Sequence, residues 1–506
     1  MPDILLCTLN ARYSHASLGL RYLRSNLGAL RERSAILEFE ARQEPADIVA
    51  SILRECPRIV GLGVYIWNAR ACLEVATLLK RVCPKVFLVL GGPEVSYETE
   101  DQPIVAIADA VICGEADVAF RDLCERILDG GNLESKVVQA GVPEFASITL
   151  PYEEYTDEDL AHRVLYVEAS RGCPYKCQFC LSSLDVPVRE APLEAFLDAM
   201  NRLLDRGARQ LKFVDRTFNL NLRVVRRILE SLRSRKEPGL FFHFEMIPDR
   251  LPGELLELLT NFPPGSIQLE LGIQTFDPDV GRRIERRQDV HRVEANLRAL
   301  QSLDSVHVHA DLIAGLPGED LKTFAAGFDR LVALGPQEIQ VGILKRLKGT
   351  PITRHDQSHA MVYSPFPPFE ILSTKDVTYE DMTVIKDFAR TYDLVANSGN
   401  FLESVPLLIR DASPFDSFRR LTERMIRSAG RVYSLPLARW AEEIFLFATE
   451  ELRIEADVIG SALARDFARG GRTDVPGCLL PWKVTERARA PKVRRELKRQ
   501  DRRLQL

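Results

Sequence analysis

The stretch VLYVEASRGCPYKCQFC, residues 164–180, decides how the rest of the chain is read. Its first half is rich in aliphatic and aromatic residues and predicts a short buried strand. Directly behind that strand stand Cys173, Cys177 and Cys180. A disulfide would leave one thiol over. A structural zinc site needs four ligands, usually as two separated pairs, and the sequence offers no partner Cys/His pair. Three inert core cysteines at spacings of four and three do not follow a packing pattern. A [4Fe–4S] cluster held by three thiolates accounts for the count and leaves one iron open to another ligand.

Working outward, the strand at 164 opens a strand–helix alternation: VLYVEAS, QLKFVD, LFFHFEM, SIQLELG, HVHADLIAG and EIQVGIL, with helical patterns between. Six βα units predict a partial (β/α)6 barrel of the TIM type over 164–363, with functional residues at the strand C-termini. Residues 131–163 are polar and irregular and read as a linker. Residues 1–130 alternate a second time, with strands expected at 4–10, 34–40, 58–65, 86–92 and 109–114. This predicts a Rossmann-like parallel sheet wrapped on both faces. Glycines cluster past its strand ends, on the edge where open α/β sheets bind ligands. After residue 364 the alternation stops, and 364–506 reads as a mostly helical domain placed to cover a substrate pocket. Its last twenty residues are rich in Lys and Arg and read as a solvated helix.

A chain of 506 residues suggests two or three domains. Hydrophobic residues make up 46% and charged residues 27%, as in soluble globular proteins. The net charge of −5 argues against a general nucleic-acid binder. No apolar stretch is long enough to span a bilayer, and MPDILLCTLNARYSH reads as a first strand and not a signal peptide. Ten cysteines without a secretion signal are expected to be reduced thiols, which places the protein in the cytoplasm.

Cys-x3-Cys-x2-Cys after a first barrel strand closely resembles the signature of the radical S-adenosylmethionine (SAM) enzymes, with Phe179 as the aromatic they carry before the last cysteine. The resemblance implies that Cys173, Cys177 and Cys180 hold the cluster and that SAM chelates its open iron. One electron then cleaves SAM to methionine and a 5′-deoxyadenosyl radical. The barrel is similar to the branch containing the anaerobic coproporphyrinogen oxidase. That similarity assigns SAM contacts to Glu245 in HFEMIPD, Gln274 in LGIQTF, Arg286 in RRIERRQ and Asp311 in HADLIAGLPGED. Asp215, Thr217 and Asn219 in KFVDRTFN end another barrel strand. They either touch SAM or substrate or cap the following helix.

An α/β domain ahead of such a barrel resembles the cobalamin-binding domain of cobalamin-dependent radical SAM enzymes. GLGVY, LGGPEV and VICGEAD then supply Gly63, Tyr65, Gly91, Gly92, Gly114 and Glu115 as cobalamin contacts. Domains that ligate cobalt use Asp-x-His-x-x-Gly after the first strand. Here ARYSHASLG puts Tyr13 and Leu18 at the flanking positions, so His15 is not expected to ligate cobalt and reads either as a cobalamin contact or as a packing or capping residue. NARYSHASLGLRYL, VGILKRLKGTPI and YSPFPPFEILSTKDVTYEDM resemble one uncharacterised bacterial subfamily with a C-terminal domain of unknown function.

The resemblance implies methyl transfer to an unactivated carbon of a small-molecule or natural-product substrate, with flavodoxin or ferredoxin as the one-electron reductant. The alternative is a cobalamin-assisted rearrangement or cyclisation on the same residues. RNA methylthiolation would require a second cluster on N-terminal cysteines, and a cobalamin sensor would not need the cluster motif.

Overall fold

The computed structural model describes residues 1–185, 187–469 and 475–482. The basic stretch at the C-terminal end lies outside the described residues. The chain packs as two compact units: residues 1–245 with 345–354 and 363–370, and residues 246–344 with 355–362 and 371–506.

The first unit opens with β1 (Ile4–Asn10), α1 (Leu18–Ser25), β2 (Ser34–Glu40), α2 (Pro45–Arg54), β3 (Ile59–Gly63), α3 (Ala69–Val82), β4 (Phe87–Gly91), α4 (Pro103–Ile107), β5 (Ala110–Cys113), α5 (Ala116–Leu128) and β6 (Val137–Gln139). The strands form one parallel sheet in the order β2-β1-β3-β4-β5-β6. All seven residues of β1 are buried, as a continuous apolar run covered on both faces requires. One face packs Ile48, Ile52, Val75, Leu79 and Ile104 of α2, α3 and α4. The other packs Leu20 of α1 with Phe120 and Leu123 of α5. The order reverses between β1 and β3, which places a ligand crevice at the C-terminal edge there.

Residues 131–163 hold more structure than their polarity suggests, including β6 and two buried tyrosines. After them come β7 (Leu165–Val167), β8 (Ser170–Arg171), β9 (Arg189–Glu190), β10 (Gln210–Phe213) and β11 (Phe241–Met246). The strands β7, β10 and β11 pair in parallel in that order. The other edge of β7 is closed by side chains. Tyr155 Oη donates to the Tyr166 carbonyl at 2.7 Å and accepts from its N–H at 3.0 Å. Tyr152 Oη does the same at Glu168, at 3.1 and 3.0 Å. Two phenols thus stand in for a missing strand, leaving no buried backbone group unpaired on those residues.

In the second unit β12 (Ile267–Gln274), β13 (Val306–Ala314) and β14 (Glu338–Ile343) pair in parallel. Asn397 binds both the N–H and the carbonyl of Ile339, at 3.1 and 2.9 Å. The C-terminal helices Tyr379–Tyr392 and Pro414–Ala429 pack on the helix Leu321–Ala333. Phe328 of that helix meets Phe388 and Tyr392 edge-on, with ring centroids 4.9 Å apart in each case. Each strand expected from the sequence is found, some of them shorter than expected, and β6, β8, β9 and the short paired strands Val362–Tyr363 and Ile371–Ser373 are added to them.

Candidate functional site

At the C-terminal edge of the first sheet a cavity of about 470 Å³ opens between β3–β5 and the helices α1 and α5. Of the residues assigned to cobalamin from the sequence, Gly63, Tyr65, Gly91, Gly92 and Glu115 line it; His15 and Gly114 do not. Gly92 has φ +106°, and a Cβ there would lie 2.4 Å from the Val64 carbonyl oxygen. Only glycine lets the β4 loop turn so close to the β3 loop. His15 is held elsewhere: its Nδ1 lies 2.6 Å from Tyr166 Oη, and its backbone bridges to Val164. Burial, then the charges of Arg12 and Lys212, pull its pKa below the usual histidine value.

The cysteine loop begins where β7 ends. β8 and β9 pair antiparallel, with Arg171 opposite Arg189, and close the loop at its base. Cys173 N–H donates to the Asp185 carbonyl at 3.0 Å, and Cys180 N–H to the Cys177 carbonyl at 3.1 Å. Gly172 has φ +89°, and a Cβ there would lie 2.8 Å from the Asp185 carbonyl oxygen and 2.9 Å from that of Pro187. Cys173 and Cys177 are buried and Cys180 is half-buried, and none of the three forms a disulfide. Three soft donors on one loop, shielded but reachable, fit an iron–sulfur cluster.

Asp215, just past β10, anchors the start of this loop. Its carboxyl accepts from Ala169 N–H at 3.0 Å and from Ser170 Oγ at 2.6 Å. Burial pushes its pKa up to about 7 against those donors.

Three of the four residues assigned to SAM converge in the second unit. Gly272 sits opposite Asp311 in the β12–β13 register, and Arg286 Nη2 donates to the Gly272 carbonyl. Gln274, after a bulge at Gly272, has φ +69°. Its Oε1 is buried and has no partner among the described residues. A buried acceptor in a strained backbone suits a ligand that donates hydrogen bonds, as an amino group does. Glu245 belongs to the first unit, where Arg216 Nη1 lies 3.0 Å from its Oε2. Phe179 is half-buried.

Sequence reasoning missed a buried polar row beside Asp311. His309 Nε2 lies 3.2 Å from Asp311 Oδ1, and His307 Nε2 lies 2.9 Å from Glu338 Oε1. Burial lowers the His309 pKa, but Asp311, Glu270 and Glu338 outweigh it and leave it raised. The signal was there: in HVHAD the three residues recur at period two, on one face of a strand. Glu319 was also missed. It is buried against Thr275 Oγ1 at 2.6 Å, and burial pushes its pKa up to about 8.

Comparison with known families places three domains along the chain. The B12 binding domain matches residues 4–124, the radical SAM superfamily residues 167–331, and a protein of unknown function (DUF4080) residues 357–505. The chain carries a B12-binding domain followed by a radical SAM domain. The cofactors of a radical SAM protein of this kind are a [4Fe–4S] cluster, SAM and cobalamin. It is 24% identical over 397 residues to the 2-(S-pantetheinyl)-carbapenam-3-carboxylate methyltransferase of Streptantibioticus cattleyicolor, covering 68% of this chain and 57% of that one. It is 25% identical over 344 residues to the cobalamin-dependent radical SAM methyltransferase TokK of Streptomyces tokunonensis, covering 60% and 50%. The chain thus spans little more than half the length of these curated relatives. Among solved structures, the radical SAM protein resembles the cobalamin-dependent SAM radical enzyme OxsB with aqua-cobalamin bound, at TM-score 0.63 and 14% identity over 92% of this chain and 79% of that one. It also resembles the methyltransferase TsrM of Kitasatospora setae with cobalamin and [4Fe–4S] cluster bound, at TM-score 0.58 and 15% identity over 72% and 78%. At such identities the likeness is one of fold: a Rossmann-like first domain, a radical SAM domain and a helical C-terminus. No helix among the described residues is long and apolar enough to cross a membrane.

Proposed function

We propose that the chain is a cobalamin-dependent radical SAM methyltransferase acting on an unactivated carbon of a small molecule. One observation carries the reading: the cavity in the B12-binding domain is walled in part by Glu168, Arg171 and Asp185, the roots of the three-cysteine loop. A cobalamin in that cavity and a cluster on that loop would be neighbours, as a methyl donor and a radical source must be. The methyltransferase names of the carbapenam carboxylate enzyme and of TokK support the same reaction class.

When bound, the cluster and SAM supply a reductively generated 5′-deoxyadenosyl radical, and cobalamin supplies a transferable methyl group. The chain's own residues bind and orient. Cys173, Cys177 and Cys180 hold the cluster as thiolates. Arg286 offers a planar guanidinium suited to the SAM carboxylate, Gln274 Oε1 an acceptor for its amino group, Glu245 an acceptor for the ribose or amino group, and Asp311 an acceptor for the ribose hydroxyls. Gly63, Gly91 and Gly92 keep the cavity wall free of side chains, while Tyr65 and Glu115 face into it. Gly114 supplies the left-handed turn (φ +91°) that leads into Glu115. The C-terminal region reaches the strand ends too: a Cβ on Gly315, just past β13, would lie 2.5 Å from Ile371 Cγ2. It is placed to shape the substrate pocket. A flavodoxin or ferredoxin is the reductant class.

The test is anaerobic turnover with SAM, hydroxocobalamin, a chemical reductant and candidate small molecules. A product heavier by one methyl group supports the reading. 5′-Deoxyadenosine with an unmethylated, rearranged product would replace it by radical rearrangement or cyclisation.

A further inference from the structure

The wall between the cavity and the cysteine loop is one largely buried ion-pair network, with Asp185 at its more exposed end. The Arg171 guanidinium binds Glu168 through Nε at 2.8 Å and Asp117 through Nη1 at 2.9 Å, and Glu115 Oε2 through Nη1 at 3.1 Å. Its Cζ also lies over two aromatic rings, 4.5 Å from the centroid of Tyr22 and 4.9 Å from that of Phe145. Arg189, opposite Arg171 in the β8–β9 pair, binds the same Glu115 Oε2 at 3.0 Å and Asp185 Oδ1 at 2.8 Å. The Asp185 carbonyl in turn holds the N–H of Cys173. Glu115 and Asp117 open α5 of the first sheet domain, whereas both arginines belong to the cysteine loop. Glu115 and Asp117 therefore find their counter-charge on the cysteine loop, whose arginines they share with the loop's own Glu168 and Asp185.

We propose that Arg171 and Arg189 are positioning residues that couple the two cofactor sites, so that an occupied cavity and an assembled cluster stabilise one another. The inference rests on the assignment of cobalamin to the cavity and of the cluster to the loop. A ligand in the cavity lies against Tyr22, Glu115, Asp117, Glu168, Arg171 and Asp185. Immobilising these side chains fixes the base of the loop, and ordering the three thiolates then costs less conformational entropy. By linkage the effect is reciprocal: a loop fixed by its cluster presents a pre-set cavity wall. Removing one arginine leaves the carboxylates without their shared counter-charge and breaks the connection while sparing the cysteines and the glycine-lined part of the cavity.

The experiment measures the dissociation constant of hydroxocobalamin for the full chain in two forms, cluster-reconstituted and stripped anaerobically of iron by a chelator. The wild type is expected to bind about 5- to 100-fold more tightly with its cluster, the usual range of site–site coupling. In Arg171→Gln that ratio falls towards one, Arg171→Lys restores part of it, and Arg189→Gln, at the less buried partner, lowers it while keeping the fold. A merely structural role would weaken binding to both forms alike and leave the ratio untouched. A wild-type ratio below about two, or an unchanged ratio in both glutamine variants, overturns the coupling. Absence of hydroxocobalamin binding to either wild-type form instead overturns the cofactor assignment, and the coupling with it.

Discussion

His15 Nδ1 and Tyr166 Oη lie 2.6 Å apart, which ties the loop after β1 to the strand that leads into the cysteine loop. The imidazole occupies the sequence position of a cobalt ligand, yet it is spent on a neighbouring phenol and does not line the cavity. The lowered pKa of His15 keeps it neutral at pH 7, so it is engaged through one hydrogen bond and not through charge. His15→Ala is therefore expected to leave the Co(II) paramagnetic spectrum of the bound cobalamin unchanged. Loss of nitrogen hyperfine coupling in the variant would show that His15 ligates cobalt after all.

The cysteine loop predicts its own mutational profile. Cys173→Ala, Cys177→Ala and Cys180→Ala each remove one of three thiolates and should abolish both iron binding and SAM cleavage. Gly172→Ala should lower iron content with all three thiols present. Its φ of +89° and the 2.8 Å approach to the Asp185 carbonyl oxygen cost a Cβ on the order of 1–3 kcal/mol. Iron and sulfide assays on reconstituted protein decide both points.

For SAM, Arg286→Ala should weaken binding about 10- to 100-fold, since a hydrogen bond to a charged group is worth roughly 1.5–3 kcal/mol. Asp311→Ala should act similarly and also free His309 from its carboxylate partner. Iron content and cobalamin affinity should not change in either variant. Arg282, exposed and paired with Asp279 on its own helix, is the control: Arg282→Ala should be silent. Equal SAM affinity in Arg286→Ala and wild type, by equilibrium dialysis, would remove Arg286 from the site.

Two buried carboxyls make the fold sensitive to alkali. Asp215 titrates at about 7 and Glu319 at about 8, both raised by burial, whereas in the unfolded chain they titrate near 4. The folded state therefore binds more protons than the unfolded one between those limits. The resulting stabilisation is complete below about pH 4 and is lost as pH rises through 7 and 8. Each group accounts for a few kcal/mol at most. Urea midpoints should fall from pH 5 to pH 9, and Asp215→Asn or Glu319→Gln should flatten the fall. An equally steep fall in both variants would mean that other groups are responsible.

What the sequence disclosed, and what it withheld, follows from range. Strands such as ILLCTLN and HVHADLIAG are legible because burial on both faces writes itself as an uninterrupted or alternating apolar run. β6 escaped because three residues, two half-buried and one exposed, are too few to carry a period. Short motifs shared with the resembling family singled out the thiols, the glycines and Gln274, since each such motif lies within a few residues of sequence. The partners of Arg171 were not legible, because Glu115 and Asp117 stand more than fifty residues away and nothing in RGCPYK says which acids will meet it. Tyr152 and Tyr155 likewise looked like loop residues until the bare edge of β7 showed what their hydroxyls replace.

The aromatic contacts of Phe328 bear on how the protein can be dissected. Phe388 and Tyr392 of one C-terminal helix, and Phe415 of the next, wrap that single ring, while the N–H of Phe415 is anchored on Asp329 at 2.7 Å. Each such ring hides some 150–250 Å² of surface. Cutting the chain after the last barrel strand would turn this seam into an open greasy face. The truncated protein should then be recovered as aggregate, and adding the missing part in trans should rescue it only if the two are refolded together. The helices Tyr379–Tyr392 and Pro414–Ala429 are thus co-folding partners of the barrel helix they cover, not an attachment that can be clipped away to expose a minimal enzyme.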